Sequence, residues 1–264
     1  MCSTMRRRKY RKPHWKYVEL RERDIRLFKL ILEQKFLRRR EVMDYVFDGM
    51  KSYAEFRIRK LKNFEYIKAI QVLPGEPESY LLGKAGLKAL KELGVCVGRL
   101  GSSVIAGRTF PEPQDQIEIA CYEHDVKVTQ VRFLFERMKL CKNWHSEKLL
   151  KMGTKGERKV PDGYFTKEGR GIAVELELHP KKAKGYRKIF DIYKDDSKTD
   201  YIFYVCGDIS LKRRMMALVE KESLLTKEYC FILFKDLMEF GEESGIQIPL
   251  KGKFKLKAVL QHVR

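Results

Sequence analysis

The fold is predicted from a stretch past the middle of the chain, residues 174–179, which reads Val-Glu-Leu-Glu-Leu-His. Apolar and polar side chains alternate there, as they do in a β-strand with one buried face. A strand sends every second side chain to the same face, so Glu175 and Glu177 point one way, about 7 Å apart. Asp162 precedes them in Pro161-Asp162-Gly163, and a hairpin between the two segments would bring Asp162 to Glu175.

The segments around this strand alternate between strand and helix patterns. Strands are predicted at residues 144–149, 159–165, 171–179, 201–206 and 229–234, and helices at 116–140, 181–193, 210–222 and 235–240. The run 201–206 is apolar on both faces, which is typical of a central buried strand. This order predicts a mixed α/β domain over residues 116–240. A basic C-terminal extension is predicted at 241–264.

The converging acids suggest chemistry on phosphate esters. Two or three carboxylates in an otherwise basic protein form a hard-oxygen site suited to Mg²⁺. A metal ion there would polarise a scissile phosphate and activate water. The alternative is that Glu175 and Glu177 lie on a solvated face, paired with Lys181 or Lys182. His124 is either a hydrogen-bonded core histidine or a group that reaches these acids.

The first quarter of the chain predicts a different kind of domain. Helices are predicted at residues 23–34, 38–47 and 52–63, followed by strands at 66–72 and 79–82 and a helix at 84–92. Three helices followed by a hairpin is the order of a winged helix, assigned to residues 18–94, in which the third helix enters the major groove of DNA. The third helix is expected to expose four cations: Arg57, Arg59, Lys60 and Lys62.

The charge of the chain favours a nucleic-acid partner. Its 56 Lys and Arg against 36 Asp and Glu give a net charge of +20, and residues 1–64 alone carry 20 Lys or Arg against 8 acids. An N-terminal arm, residues 1–17, begins the excess with Arg6, Arg7, Arg8 and Lys9. Such an arm is expected to bind the phosphates of double-stranded DNA, because they attract cations whatever the base sequence. A solvated tail and an anionic membrane surface are the alternatives.

Several classes of protein are excluded by what the sequence lacks. It has no apolar run long enough for a membrane helix, no secretory signal and no Cys-x-x-Cys pair. Phosphate-loop and dinucleotide-binding glycine motifs are absent as well. A cytoplasmic protein associated with the nucleoid or a plasmid is therefore expected. Residues 95–115, rich in Gly, Ser and Pro, predict a linker between separable domains with few shared core contacts.

The C-terminal pattern resembles the restriction-endonuclease-like PD-(D/E)xK fold. Pro161-Asp162-Gly163 and the strand carrying Glu175 are the residues that match. The resemblance implies that Asp162 and Glu175 are Mg²⁺ ligands and that Glu177 stands at the position of the catalytic lysine. A lysine of the next helix, Lys182 or its neighbour Lys181, would then replace it. The catalytic candidates are Asp162, Glu175, Glu177 and Lys182, and Glu147 is either a further site acid or an edge-strand charge.

The whole arrangement is similar to the plasmid replication-relaxation family of mobile-element proteins. The residues that carry this resemblance are His124-Asp125, Pro161-Asp162-Gly163 and Glu175-Leu176-Glu177. It implies a winged helix joined to a nuclease-like domain and a role in plasmid or integrative-element DNA transactions. Three functions stay open: a DNA-binding regulator or accessory factor of replication or transfer, a Mg²⁺-dependent endonuclease, and a protein-docking module. The oligomeric state is also open, a homodimer included.

Overall fold

The computed structural model describes residues 15–94, 117–153, 159–222 and 227–261. In these ranges the chain is a mixed α and β protein with a three-stranded sheet and a seven-stranded mixed sheet. The arm residues Arg6, Arg7, Arg8 and Lys9 and the predicted linker 95–115 lie outside the described residues. None of the helices in these ranges combines the length and the apolar character that a membrane crossing requires.

The N-terminal part, residues 15–94, contains the helices and the hairpin that the spacing predicts. Its elements are α1 (Glu22–Gln34), β1 (Leu37–Arg38), α2 (Arg39–Glu41), which continues as a π-helical turn (Val42–Val46), α3 (Lys51–Asn63), β2 (Ile67–Ile70), β3 (Ser79–Leu82) and α4 (Lys84–Glu92). Strand β3 is central and pairs antiparallel with β1 on one side and β2 on the other.

Helices α1 and α3 form because each has an apolar stripe that packs into one core. Phe28 and Ile31 of α1 are fully buried with Leu61 of α3. The carboxylate of Asp24 caps the start of α1 by accepting a hydrogen bond from Arg21 N at 2.8 Å. An acid in the first turn also interacts favourably with the positive end of the helix dipole.

The C-terminal part, residues 117–261, is built on the seven-stranded sheet. Its elements are α5 (Tyr122–Arg137), β4 (His145–Ser146), α6 (Glu147–Gly153), β5 (Gly163–Lys167), β6 (Arg170–Glu177), α7 (Ala183–Asp195), β7 (Tyr201–Cys206), α8 (Ile209–Lys221), β8 (Glu228–Leu233), α9 (Phe234–Phe240), β9 (Gly245–Ile248), β10 (Gly252–Lys255) and α10 (Leu256–Gln261). The strand order is β10-β9-β8-β7-β6-β5-β4, with β6, β7 and β8 parallel and the outer pairs antiparallel. Apolar clusters cover both faces, so β7 is the central buried strand that its sequence predicts.

Helix α5 belongs to two cores. Phe135 packs with the seven-stranded sheet, whereas Phe133 belongs to the core of the N-terminal part. The ring of Phe133 stacks on Tyr45 with centroids 4.6 Å apart, and that of Tyr122 stacks on Phe36 at 5.2 Å. The expectation that the two parts share few core contacts is therefore wrong. The prediction failed because it assumed that α5 buries a single apolar stripe, whereas the helix is buried on several sides.

Polar groups at the end of α1 reinforce this contact. Lys35 Nζ lies 2.8 Å from Asp125 Oδ2, and Arg132 Nη1 lies 2.7 Å from Glu33 Oε2. The hydroxyl of Ser146 donates to the carbonyl oxygen of Glu33 at 2.9 Å. Arg132 is buried, so its ion pair is little screened by solvent and fixes α1 on α5.

Two further predictions are wrong. Of residues 144–149, only those of β4 form a strand, because helix α6 begins at Glu147. Glu147 forms an ion pair with Lys151 at 2.6 Å, one helical turn away, and Leu149 and Leu150 are good helix formers. Residues 241–264 were expected to be an extension outside the domain, but β9 and β10 continue the sheet to its edge. Leu256 and Leu260 of α10 are fully buried in its core.

Candidate functional site

The β5–β6 hairpin brings the predicted acids to one edge of the sheet. Gly163 lies opposite Val174 in antiparallel register, so Asp162, one residue before β5, is adjacent to Glu175 in β6. Asp162, Glu175 and Glu177 are 8%, 4% and 5% exposed. Carboxylates so far from water need partners within the protein. Glu175 and Glu177 therefore do not lie on a solvated face, although Glu177 has the lysine partner that this alternative named.

His124 of α5 is one of these partners. Its Nε2 lies 3.2 Å from Asp162 Oδ2 and 3.2 Å from the carbonyl oxygen of Leu176. Both neighbours are acceptors, so Nε2 carries a proton. Burial acts to lower the pKa of His124, but Asp125 and Asp162 outweigh it and raise the pKa to about 10. Of the two readings of His124, the structure supports the one in which it reaches the acids.

Asp162 is held as a carboxylate by this contact. Its Oδ2 also accepts a hydrogen bond from Leu176 N at 2.8 Å. Burial acts to raise the pKa of Asp162, yet His124, Lys159 and the Leu176 amide together bring the pKa below its usual value. Asp162 thus joins α5 to strand β6 as an anion between a cation and a backbone donor.

Glu175 points to the other side of β6, toward α7. The hydroxyl of Tyr193 donates to its Oε1, and the ammonium of Lys159 lies 2.9 Å from its Oε2. Burial raises the pKa of Glu175 to about 7, although Lys159 acts in the opposite direction; the nearby charge of Asp162 adds to the rise. Both carboxylate oxygens of Glu175 are therefore engaged by protein donors.

Of the two lysines considered for this site, Lys181 is paired with Glu177 and Lys182 is not. Lys181 Nζ lies 2.7 Å from Glu177 Oε1 and 2.5 Å from Oε2. Lys182, the residue before α7, is exposed, and no ion pair of the described residues includes it. Glu177 lines a cleft of about 290 Å³ together with His124 and His179.

A second and much smaller cleft, of about 20 Å³, shares His124 with the first. It is lined by Lys35, Asp125 and Asp162, and by Glu147 at the start of α6. Glu147 is thus a charge of a helix that borders the cleft, not an edge-strand charge. Asp162 and Glu177 line different clefts, so the acids do not face one common cavity.

Protein donors already contact the carboxylates that would hold a divalent cation. Mg²⁺ takes oxygen ligands in near-octahedral geometry. In this cluster Tyr193 and Lys159 occupy both oxygens of Glu175, and Lys181 occupies both of Glu177. Within the described ranges, no group of three His, Cys, Asp or Glu side chains is arranged to hold a metal ion. The positive charge beside Glu175 and Glu177 comes from the ammonium groups of Lys159 and Lys181.

The cations predicted for DNA binding differ in their surroundings. Arg57 is 6% exposed and is paired with Asp24, its Nε donating to Asp24 Oδ1 at 2.9 Å, so its assignment to the exposed surface is wrong. Lys62 Nζ lies 3.3 Å from Glu78 Oε1, and Lys60 lies over the ring of Trp15. Arg59 is exposed on α3.

Lys159 and Tyr193 are the functional partners that the sequence analysis missed. Lys159 stands three residues before Asp162, and a basic residue so close to the Pro-Asp-Gly turn was the available signal. Tyr193 is the last residue of the helix predicted at 181–193, where an aromatic side chain indicates packing and not hydrogen bonding.

Comparison of the chain with protein-family models, with curated proteins and with solved structures gave no match. The proposals below therefore rest on the geometry and charge of the residues and on the motifs quoted from the sequence.

Proposed function

We propose that this chain binds double-stranded DNA through its N-terminal part, with α3 as the helix that enters the major groove. One observation carries the proposal: helix, strand, helix, helix and a two-stranded hairpin follow one another around a three-stranded antiparallel sheet. This order of elements is typical of a winged helix, in which the third helix reads DNA and the hairpin touches the flanking backbone. The exposed guanidinium of Arg59 and the net charge of +20 support it.

The test is a fluorescence-anisotropy titration of labelled duplex DNA at increasing salt. We expect binding that weakens steeply with salt, because each phosphate contact releases condensed counterions. Arg59→Ala should lower affinity and reduce the slope of log K against log salt by about 0.9 for a lost phosphate contact. Lys91→Ala, which removes one charge at an exposed position of α4, is the control. Absence of binding at low salt would refute the proposal.

We further propose that the protein serves a plasmid or integrative element as a regulator or accessory factor of replication or transfer. The motifs His124-Asp125, Pro161-Asp162-Gly163 and Glu175-Leu176-Glu177 support this setting through their resemblance to the replication-relaxation family. In this role the C-terminal part contributes structure and contacts, and does not cleave DNA. The engagement of both Glu175 oxygens by Tyr193 and Lys159 supports the absence of cleavage.

The alternative function is a Mg²⁺-dependent endonuclease. Two observations favour it: Asp162 lies beside Glu175 in the strand register, and the ammonium of Lys159 contacts the carboxylate of Glu175. Incubation of supercoiled plasmid with the protein and Mg²⁺ or Mn²⁺ separates the two functions. We expect no nicking by the wild-type protein. Nicking that disappears in Asp162→Asn, with DNA binding intact, would establish the endonuclease instead.

A further inference from the structure

Two helices begin side by side at one edge of the seven-stranded sheet. Glu177 at the end of β6 lies opposite Cys206 at the end of β7 in parallel register, so α7 and α8 start from the same edge. The guanidinium of Arg214 in α8 donates to the carbonyl oxygen of Lys181, just before α7, at 3.2 Å. Side chains at the starts of the two helices therefore form one surface.

That surface is strongly cationic. We call it the α7/α8 surface; its members are Lys182, Lys184, Arg213 and Arg214, and all four are exposed. In the described ranges no carboxylate forms an ion pair with any of the four. The hydrogen bond of Arg214 goes to a carbonyl oxygen.

Acids do little to offset this charge. The first turns of both helices contain no acid. The charge of Glu177 is matched by Lys181, and Asp208 caps α8 by accepting from Leu211 N at 2.8 Å. Lys182 and Lys184 stand at the start of α7, where cations oppose the helix dipole, so the dipole does not account for their presence.

Two of the four cations predicted on α3 have carboxylate partners. Arg57 is buried against Asp24, and Lys62 is paired with Glu78. Of the four cations predicted on α3, only Arg59 is exposed without an ion pair in the described residues.

We infer that the α7/α8 surface binds the phosphates of duplex DNA and forms a second contact beside the one on α3. This inference rests on the proposed function, because it concerns the same ligand. Four cations without carboxylate partners are the arrangement that gains most from the counterion release of a densely charged duplex. Base contacts are not implied, because phosphate contacts position a protein without specifying sequence.

The test compares two triple variants of equal charge in the anisotropy assay with a duplex of random sequence. Lys182→Ala/Lys184→Ala/Arg213→Ala removes three charges from the α7/α8 surface. Lys194→Ala/Lys198→Ala/Lys221→Ala removes three exposed charges at and beyond the opposite ends of the same helices. The first variant should lose affinity about tenfold or more and reduce the salt slope by about 2–3, close to 0.9 per lost contact. The second should change affinity by less than about threefold, and thermal unfolding confirms that both remain folded.

The outcomes separate this inference from the proposed function. Equal losses in the two triple variants would overturn the inference, because net charge alone would then explain the binding. A loss in Arg59→Ala without a loss in the first triple variant would also overturn it, while the proposed function would stand. If the wild-type protein binds no duplex but binds vesicles of phosphatidylserine through these cations, both are overturned in favour of an anionic membrane surface.

Discussion

Replacement of Arg57 tests whether a cation of α3 serves stability and not DNA binding. Arg57 and Asp24 are 6% and 1% exposed, and the guanidinium also donates to the carbonyl oxygen of Glu19 at 2.6 Å. Arg57→Ala leaves the carboxylate of Asp24 buried without its cation. Removing one partner of such a pair destabilises a protein by about 3–5 kcal/mol. At roughly 2–4 °C for each kcal/mol in a protein of this size, the melting temperature should fall by about 6–20 °C.

The assay is urea and thermal unfolding followed by circular dichroism, with Arg59→Ala as the matched control. Arg59 lies two residues further along α3 and is exposed, so its removal should change stability by less than about 0.5 kcal/mol. The double variant Asp24→Leu/Arg57→Leu should be clearly more stable than Arg57→Ala, because no buried charge remains without a partner. A free energy of unfolding for Arg57→Ala within about 1 kcal/mol of wild type would refute the reasoning.

Two other predictions concern the sheet edge. The pKa of His124 is raised to about 10 in the folded protein, so the stabilisation of the fold by its charge should be complete below pH 6.5 and lost as the pH rises through 10. The difference in unfolding free energy between wild type and His124→Gln should therefore shrink between measurements below pH 6.5 and above pH 10. A difference that stays constant would argue against the charged contact. Gly163→Ala should destabilise the protein by about 1–3 kcal/mol through overpacking, because its Cβ would lie 1.9 Å from the ring of Trp144. Gly245→Ala, where nothing lies within 4 Å, is the control, and equal melting temperatures for the two variants would show that Trp144 moves aside without cost.

The adjacent positions of Asp162 and Glu175 on neighbouring strands were predictable because they depend on short-range patterns, although the two side chains contact different helices. Strand alternation and the Pro-Asp-Gly turn predict a hairpin, and a hairpin places the two acids side by side. The partners of those acids were not predictable in the same way. Tyr193 reaches Glu175 only because α7 packs on that face of the sheet, 18 residues along the chain.

Longer-range pairing explains the other differences. Arg57 looks like a surface residue by helical periodicity, since its partner Asp24 is 33 residues away and on another helix. The strands β9 and β10 have four residues each, too few for alternation to distinguish them from a basic tail. Periodicity identifies one buried face of a helix, and α5 has more than one.

The membership of α5 in two cores makes this helix the tie between the two parts of the chain. Phe133 packs in the core of the N-terminal part and stacks on Tyr45, whereas Phe135, two residues further along, packs against the seven-stranded sheet. The placement of one part on the other is therefore fixed by packing along α5. A single substitution on the surface of α5 that faces Tyr45 is expected to loosen the junction as well as the core to which it belongs.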